Sequence, residues 1–66
     1  MNIVLNGEQR EIGDDCTIAE LLNLQGLTQR RVAIEVDGEI VPRGMHAQRQ
    51  LRQGERVEIV QALGGG

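Results

Sequence analysis

The sequence predicts an α+β domain in which one helix packs across a mixed sheet of about five strands. Two hairpin signals, Asn6-Gly7 and Asp37-Gly38, each follow a short run rich in apolar and β-branched residues. A single segment with the apolar spacing of a helix lies between the two hairpins. One helix laid over a sheet allows each element to bury one apolar face, so this is the economical arrangement for a short chain.

The first hairpin is predicted at the start of the chain. Residues 1–5 are apolar and β-branched enough to form a strand. Asn6-Gly7 is typical of a two-residue turn, because both central residues of that turn must adopt a positive φ. Residues 8–12 then form the returning strand.

A short helix is predicted after this hairpin. Thr17 and Glu20 have the spacing of a capping box, in which the threonine caps the helix and the glutamate reaches back to its N–H. Gly26 is a typical C-terminal stop. A helix of about two turns is unstable alone, so it must pack against the sheet. Its apolar face comprises Ile18, Leu21 and Leu22.

The second hairpin follows the helix. Residues 32–36 alternate between apolar and other side chains with a period of two, which is typical of a half-buried strand. Asp37-Gly38 then turns the chain into a short strand at residues 39–41. Pro42 ends that strand, since a central strand would not tolerate proline.

An irregular segment and a last strand complete the predicted domain. Residues 43–53 are mostly polar, and we expect an irregular or 3₁₀ segment held against the core by Met45 and Leu51. Residues 57–61 form the last strand, in which side chains point alternately to the two faces of the sheet.

The composition excludes several classes of protein. The chain has 66 residues, ten acidic and seven basic, with a net charge of −3. Interspersed charges lack the clustered basic face that nucleic acid requires, so we expect no nucleic-acid partner. No apolar run approaches the roughly 20 residues of a membrane helix, so we expect no membrane partner. A single cysteine cannot form an internal disulfide, which predicts a cytoplasmic protein.

Two side chains with possible chemistry are more simply structural. Cys16 lies beside the helix N-terminus, where the helix dipole can lower a thiol pKa, but a small residue in the preceding turn is the favoured interpretation. His46 has no His, Cys or carboxylate at ligand spacing, so we predict no metal site. So small a domain cannot hold a deep pocket as well as a core, which argues against a self-contained enzyme.

The sequence closes with Leu63-Gly64-Gly65-Gly66, directly after the last strand. Glycine has no Cβ to prevent another protein from closing around the backbone, and it accepts either sign of φ. We therefore predict a folded domain over residues 1–63 and a flexible glycine tail over 64–66, with the reactive carboxylate on Gly66. The alternative is an inert, solubilising tail.

The whole chain resembles the ubiquitin-like β-grasp fold and, within it, the ThiS family, the bacterial sulfur carriers of thiazole (thiamine) biosynthesis. The residues most specific to this resemblance are Asn6-Gly7-Glu8, Glu35-Val36-Asp37-Gly38-Glu39-Ile40-Val41-Pro42-Arg43, and Gly54-Glu55-Arg56-Val57-Glu58-Ile59-Val60 continuing to Gly64-Gly65-Gly66.

The resemblance implies a protein cosubstrate without catalysis or a bound cofactor of its own. An adenylyltransferase similar to the ubiquitin-activating type would use MgATP to adenylate Gly66. Sulfur from a cysteine desulfurase or another persulfide donor would convert the adenylate to a thiocarboxylate. Thiazole synthase would then take the sulfur, while Gly64 and Gly65 thread the active sites of these partners.

The resemblance also implies a docking surface. In ubiquitin-like proteins the open face of the sheet beside the tail is the usual one, and the apolar candidates here are Val60, Leu63 and Ile40.

Three alternative functions stay open at this point. The first is a sulfur carrier of another pathway, similar to the small subunit of molybdopterin synthase. The second is a non-covalent β-grasp interaction module with an inert tail. The third is a protein modifier conjugated to lysines of its targets.

Overall fold

The structure, a computed structural model, describes residues 1–61. That part of the chain forms five strands, one α-helix and one 3₁₀ helix. In chain order they are β1 (Asn2–Leu5), β2 (Glu8–Glu11), α1 (Ile18–Leu24), β3 (Val32–Val36), β4 (Glu39–Ile40), the 3₁₀ helix (Arg43–Met45) and β5 (Arg56–Gln61). The predicted order of elements is confirmed, with strand ends shifted by at most one residue.

The five strands form one mixed sheet in the order β2-β1-β5-β3-β4. The last strand lies at its centre, parallel to β1 and antiparallel to β3. The two hairpins, β1–β2 and β3–β4, are antiparallel and lie on either side of it. The predicted α+β class, with a mixed sheet of five strands, is confirmed.

Both hairpin turns have the predicted backbone. Asn6 and Gly7 have φ angles of 49° and 83°, and Asp37 and Gly38 have φ angles of 51° and 85°. Positive φ at both central residues matches the right-handed twist of the strands. The turn sequences therefore fix the register of both hairpins.

Both ends of α1 are capped by local interactions. The backbone N–H of Glu20 donates to Thr17 Oγ1, and the backbone N–H of Thr17 donates to Glu20 Oε1, each at 3.1 Å. This is the predicted capping box. At the other end Gly26 has a φ of 72°, and the N–H of Leu27 donates to the carbonyl of Leu22 at 2.8 Å. These are the features of a Schellman motif, which ends the helix at the predicted glycine.

The core between α1 and the sheet is aliphatic, as the absence of aromatic residues requires. Its most completely buried side chains come from β1, α1, β3 and β5: Ile3, Ile18, Leu21, Ile34 and Val57. Every helix found in residues 1–61 is too short or too polar to cross a membrane.

The segment after β4 differs from the prediction in one residue. Leu51 is buried as expected, but Met45 is 47% exposed, so its predicted role in the core is wrong. His46 points inward instead and is only 7% exposed. Its Nε2 donates to the carbonyl of Val41 at 3.0 Å, a contact that a methionine could not make.

Truncating the core beneath the helix should destabilise the domain strongly. We expect Leu21→Ala and Ile34→Ala each to lower the free energy of unfolding by about 2–5 kcal/mol, because both side chains are fully buried. Urea unfolding followed by far-ultraviolet circular dichroism measures this, since the chain has no aromatic fluorophore.

The matched control is Leu24→Ala on the same helix. Leu24 is 68% exposed, so its truncation should change the free energy of unfolding by no more than about 0.5 kcal/mol. Equal effects at Leu21 and Leu24 would contradict the assigned core.

Candidate functional site

β5 positions the candidate site, because it leads the chain toward residues 62–66. Its hydrogen bonds to the strands on both sides are supplemented by two side chains from the hairpin turns. The Oδ1 atom of Asn6 accepts from the N–H of Ile59 at 2.8 Å, and the Oδ1 atom of Asp37 accepts from the N–H of Arg56 at 2.9 Å. Both turns therefore hold β5 in register.

The side chains of β5 alternate between the two faces of the sheet, as predicted. Val57 is buried under α1, and Ile59 packs against the same core. Glu58 and Val60 point to the open face, where Val60 is 55% exposed. The open face at the end of β5 therefore presents an apolar side chain next to a carboxylate.

The strand register defines the neighbours of these side chains. Val60 lies opposite Ala33 of β3, and Glu58 lies opposite Glu35. Glu35 in turn lies opposite Ile40 of β4, whose side chain is 70% exposed. Opposite residues of an antiparallel pair share a face, so these five side chains form one surface, which we call the open-face patch.

Val60 and Ile40 share this patch without touching each other. They lie two strands apart, roughly 10 Å, and are offset by two residues along the sheet. Glu35 and Glu58 occupy the space between them. The patch is thus a mixture of apolar and acidic groups, with two like charges directly opposite each other, an arrangement that destabilises a sheet slightly.

The predicted docking residues Val60 and Ile40 both lie in this patch, whereas its pair of carboxylates was not predicted. The alternating pattern does place Glu35 and Glu58 on the outer faces of their strands. That they face each other depends on the register of β3 and β5, which only the folded sheet defines.

Four of the predicted site residues, Leu63, Gly64, Gly65 and Gly66, lie outside the described residues. Their proposed roles, and the proposed boundary between domain and tail, stay predictions.

The structure favours the structural interpretation of Cys16. The residue is 6% exposed, and its thiol donates to the carbonyl of Thr17 at 3.4 Å. Burial raises the pKa of the Cys16 thiol above its ordinary value, and the negative charge of Glu20 raises that pKa further. A reactive cysteine requires the opposite shift.

His46 is likewise a packing residue. Its ring donates to a backbone carbonyl, as described above, and nowhere in residues 1–61 do three or more His, Cys, Asp or Glu side chains cluster closely enough to hold a metal ion.

The thiol of Cys16 should react slowly. We expect alkylation by iodoacetamide near neutral pH to be slower than for an unstructured cysteine peptide, since the thiolate is the nucleophile and the pKa is raised. Glu20→Gln removes the negative charge and keeps the capping oxygen, so it should lower the thiol pKa and raise the rate. Mass spectrometry across a pH series follows the reaction. A wild-type rate above that of the peptide would show that Cys16 is activated.

Comparison of the sequence and of the fold with known proteins identifies the same family. The sequence model of the ThiS family matches residues 3–66. Among solved structures, the thiamine biosynthesis protein ThiS from Geobacter metallireducens matches over the full length of both chains, with a TM-score of 0.85 and 28% identity.

Two curated relatives are named thiazole synthase. That of Paramagnetospirillum magneticum is 41% identical, and that of Magnetococcus marinus is 33% identical, each over 66 residues. The match covers 100% of this chain and 20% of each relative, so the chain spans about a fifth of the length of these proteins.

The family match covers nearly the whole chain, from β1 through β5 and on to Gly66. The fold also superposes on that of a ThiS structure over the full length of both chains. This chain therefore belongs to the ThiS family, the sulfur carrier proteins of thiamine biosynthesis.

Proposed function

We propose that this chain carries sulfur as a thiocarboxylate on Gly66 and donates it to a thiazole synthase. The proposal rests chiefly on the ThiS family match, which extends from the folded domain through Gly64, Gly65 and Gly66. It requires that the carboxylate of Gly66 be free in the cell.

The chemistry follows from the weak reactivity of a carboxylate toward nucleophiles. An adenylyltransferase of the ubiquitin-activating type joins an oxygen of the Gly66 carboxylate to the α-phosphate of ATP, and magnesium pyrophosphate leaves. The acyl-adenylate then has a good leaving group. The outer sulfur of a persulfide, carried by a cysteine desulfurase or another donor, displaces AMP and forms an acyl disulfide with Gly66. A second thiol then attacks the donor's sulfur, so that the thiocarboxylate leaves with the electron pair of the S–S bond and the donor becomes a disulfide. When that sulfur is donated, an oxygen from the acceptor or from water takes its place on Gly66 and regenerates the carboxylate.

The chain itself contributes an ordered last strand, β5, and a C-terminal segment without side chains. β5 is held in the centre of the sheet by hydrogen bonds on both edges. Residues 64–66 are glycines, so no side chain obstructs adenylation at Gly66 or passage of the backbone into a partner. In this role the chain is a cosubstrate acted on by its partners and performs no catalysis.

Thiazole synthase is the favoured acceptor because of the two relatives with that name. Each contains a region similar to this chain within a polypeptide about five times longer. Joining a carrier to its acceptor raises their effective concentration without new contacts. The same observation favours the thiazole pathway over molybdopterin synthesis.

Mass analysis of the terminal tryptic peptide tests the carrier chemistry directly. After incubation with the activating enzyme, MgATP and a sulfur source, we expect one oxygen of peptide 57–66 to be replaced by sulfur. Trypsin cleaves after Arg56, and the peptide contains no Met or Cys whose oxidation would give a similar mass.

The matched control is a chain lacking Gly65 and Gly66, which should remain unchanged under the same conditions. An unmodified wild-type peptide, with an activating enzyme proven active on another carrier, would contradict the proposal and favour the inert-tail interaction module.

The open-face patch should contribute to partner binding. Val60→Lys replaces an exposed apolar side chain of the patch by a charged one. The loss of one apolar contact and the added charge should raise the Kd for thiazole synthase about tenfold. Ile40→Lys should act in the same direction. Leu24→Lys alters a leucine of α1 that is more exposed than Val60 and lies away from the patch, and it should leave the Kd within about twofold. Calorimetry measures all three, and equal Kd values for Val60→Lys and Leu24→Lys would place docking elsewhere.

A further inference from the structure

A cleft lies on the helix side of the sheet, where α1, the segment before β3 and the 3₁₀ helix meet. Its volume is about 200 Å³, several times the share of one water molecule, so it can admit a side chain. Leu22 and Val32 form apolar walls, while Arg30 and Arg43 supply two cations. We call this the arginine cleft.

Neither cation of the arginine cleft is neutralised within residues 1–61. The ion pairs of that part of the chain involve the amino terminus, Arg10 and Arg49. Arg30 and Arg43 have no carboxylate within 4 Å there, although the chain as a whole has a net charge of −3. Two unpaired guanidinium groups on one cleft favour binding of an oxyanion, since guanidinium pairs with such groups in a bidentate manner.

The backbone around the arginine cleft is fixed by hydrogen bonds. The N–H of His46 donates to the carbonyl of Arg43 at 3.1 Å, and the carbonyl of His46 accepts from the N–H of Ala19 in α1 at 2.9 Å. The buried His46 ring also lines the cleft. On the other side the N–H of Arg30 donates to the carbonyl of Leu27 at 3.0 Å. Both arginines therefore extend from ordered backbone, which lowers the entropic cost of binding.

The arginine cleft lies at the end of the sheet from which the chain continues toward residue 62. Val32 of its wall is the register partner of Gln61, the last residue of β5. A protein that binds the residues directly after Gln61 therefore meets the chain next to the cleft.

We propose that the arginine cleft receives an acidic side chain of the thiazole synthase that holds residues 62–66, an inference that rests on the proposed function. The carboxylate pairs with Arg30 and Arg43, and the methylene groups of the aspartate or glutamate contact Leu22 and Val32. A free phosphate has no apolar part to match those walls. The cleft is separate from the open-face patch, so it gives the partner a second contact that fixes its orientation around the tail.

Titration of the isotope-labelled full chain with sodium acetate tests the arginine cleft by itself. Acetate replaces chloride at constant ionic strength, and amide chemical shifts are followed by NMR. We expect saturable shifts at residues 28–32 and 43–47, and their loss in Arg30→Gln/Arg43→Gln. Shifts that persist in that variant, or that appear with inorganic phosphate and not with acetate, would overturn the assignment.

The matched control is Arg10→Gln/Arg52→Gln, which removes the same charge from residues that do not line the cleft. It should keep the acetate shifts of the wild type. Circular dichroism confirms that both double variants are folded.

Binding to thiazole synthase then tests the occupant. We expect Arg30→Gln/Arg43→Gln to raise the Kd about tenfold or more, and Arg10→Gln/Arg52→Gln to raise it no more than about twofold. Equal Kd values for the two double variants would overturn the inference and leave the proposed function intact. A wild-type chain that binds neither thiazole synthase nor the activating enzyme would instead contradict the proposed function, and with it the assigned occupant.

Discussion

The structure depends on the insertion of β5 between β1 and β3. Without that strand the sheet would be two separate antiparallel hairpins, and an isolated hairpin is at best marginally stable in water. β5 hydrogen-bonds to both, and its Val57 lies fully buried beneath α1. Asn6 and Asp37, one from each hairpin turn, add side-chain hydrogen bonds to the same strand. The two turns thus do more than reverse the chain, since they also bind the element that joins the hairpins.

This central strand also connects stability to function. Its inner face belongs to the core, its outer face contributes Glu58 and Val60 to the open-face patch, and residues 62–66 follow directly after it in the sequence. The arginine cleft lies beside the same end, through the pairing of Val32 with Gln61. A partner that grips the tail therefore meets an acidic and apolar surface on one side of the sheet and a basic cleft on the other. Such opposed charges allow the partner to bind in one orientation.

Features set by local sequence were predictable, and those set by distant contacts were not. Positive φ at Asn6 and Asp37 and the Thr17–Glu20 capping box follow from rules that span two to four residues. Met45 was wrongly placed in the core because His46 is turned inward by a carbonyl five residues away. Glu35 and Glu58 are brought face to face by the register of β3 and β5. Arg30 and Arg43 line one cleft because the 3₁₀ segment packs next to α1. The proposed function, sulfur transfer, follows from the family resemblance, because no single motif of the folded domain indicates it.

The central position of β5 delays completion of the sheet during synthesis of the chain. β5 is the last of the five strands to be synthesised, so the facing edges of β1 and β3 remain unpaired on the ribosome until it emerges. Closing the sheet then requires contacts between residues about fifty positions apart, such as Val4 with Arg56, and contacts of such long range slow folding. During that interval the open edges can pair with other chains. Fast translation of the segment from β1 to β5 would therefore shorten the time for which these edges are unpaired.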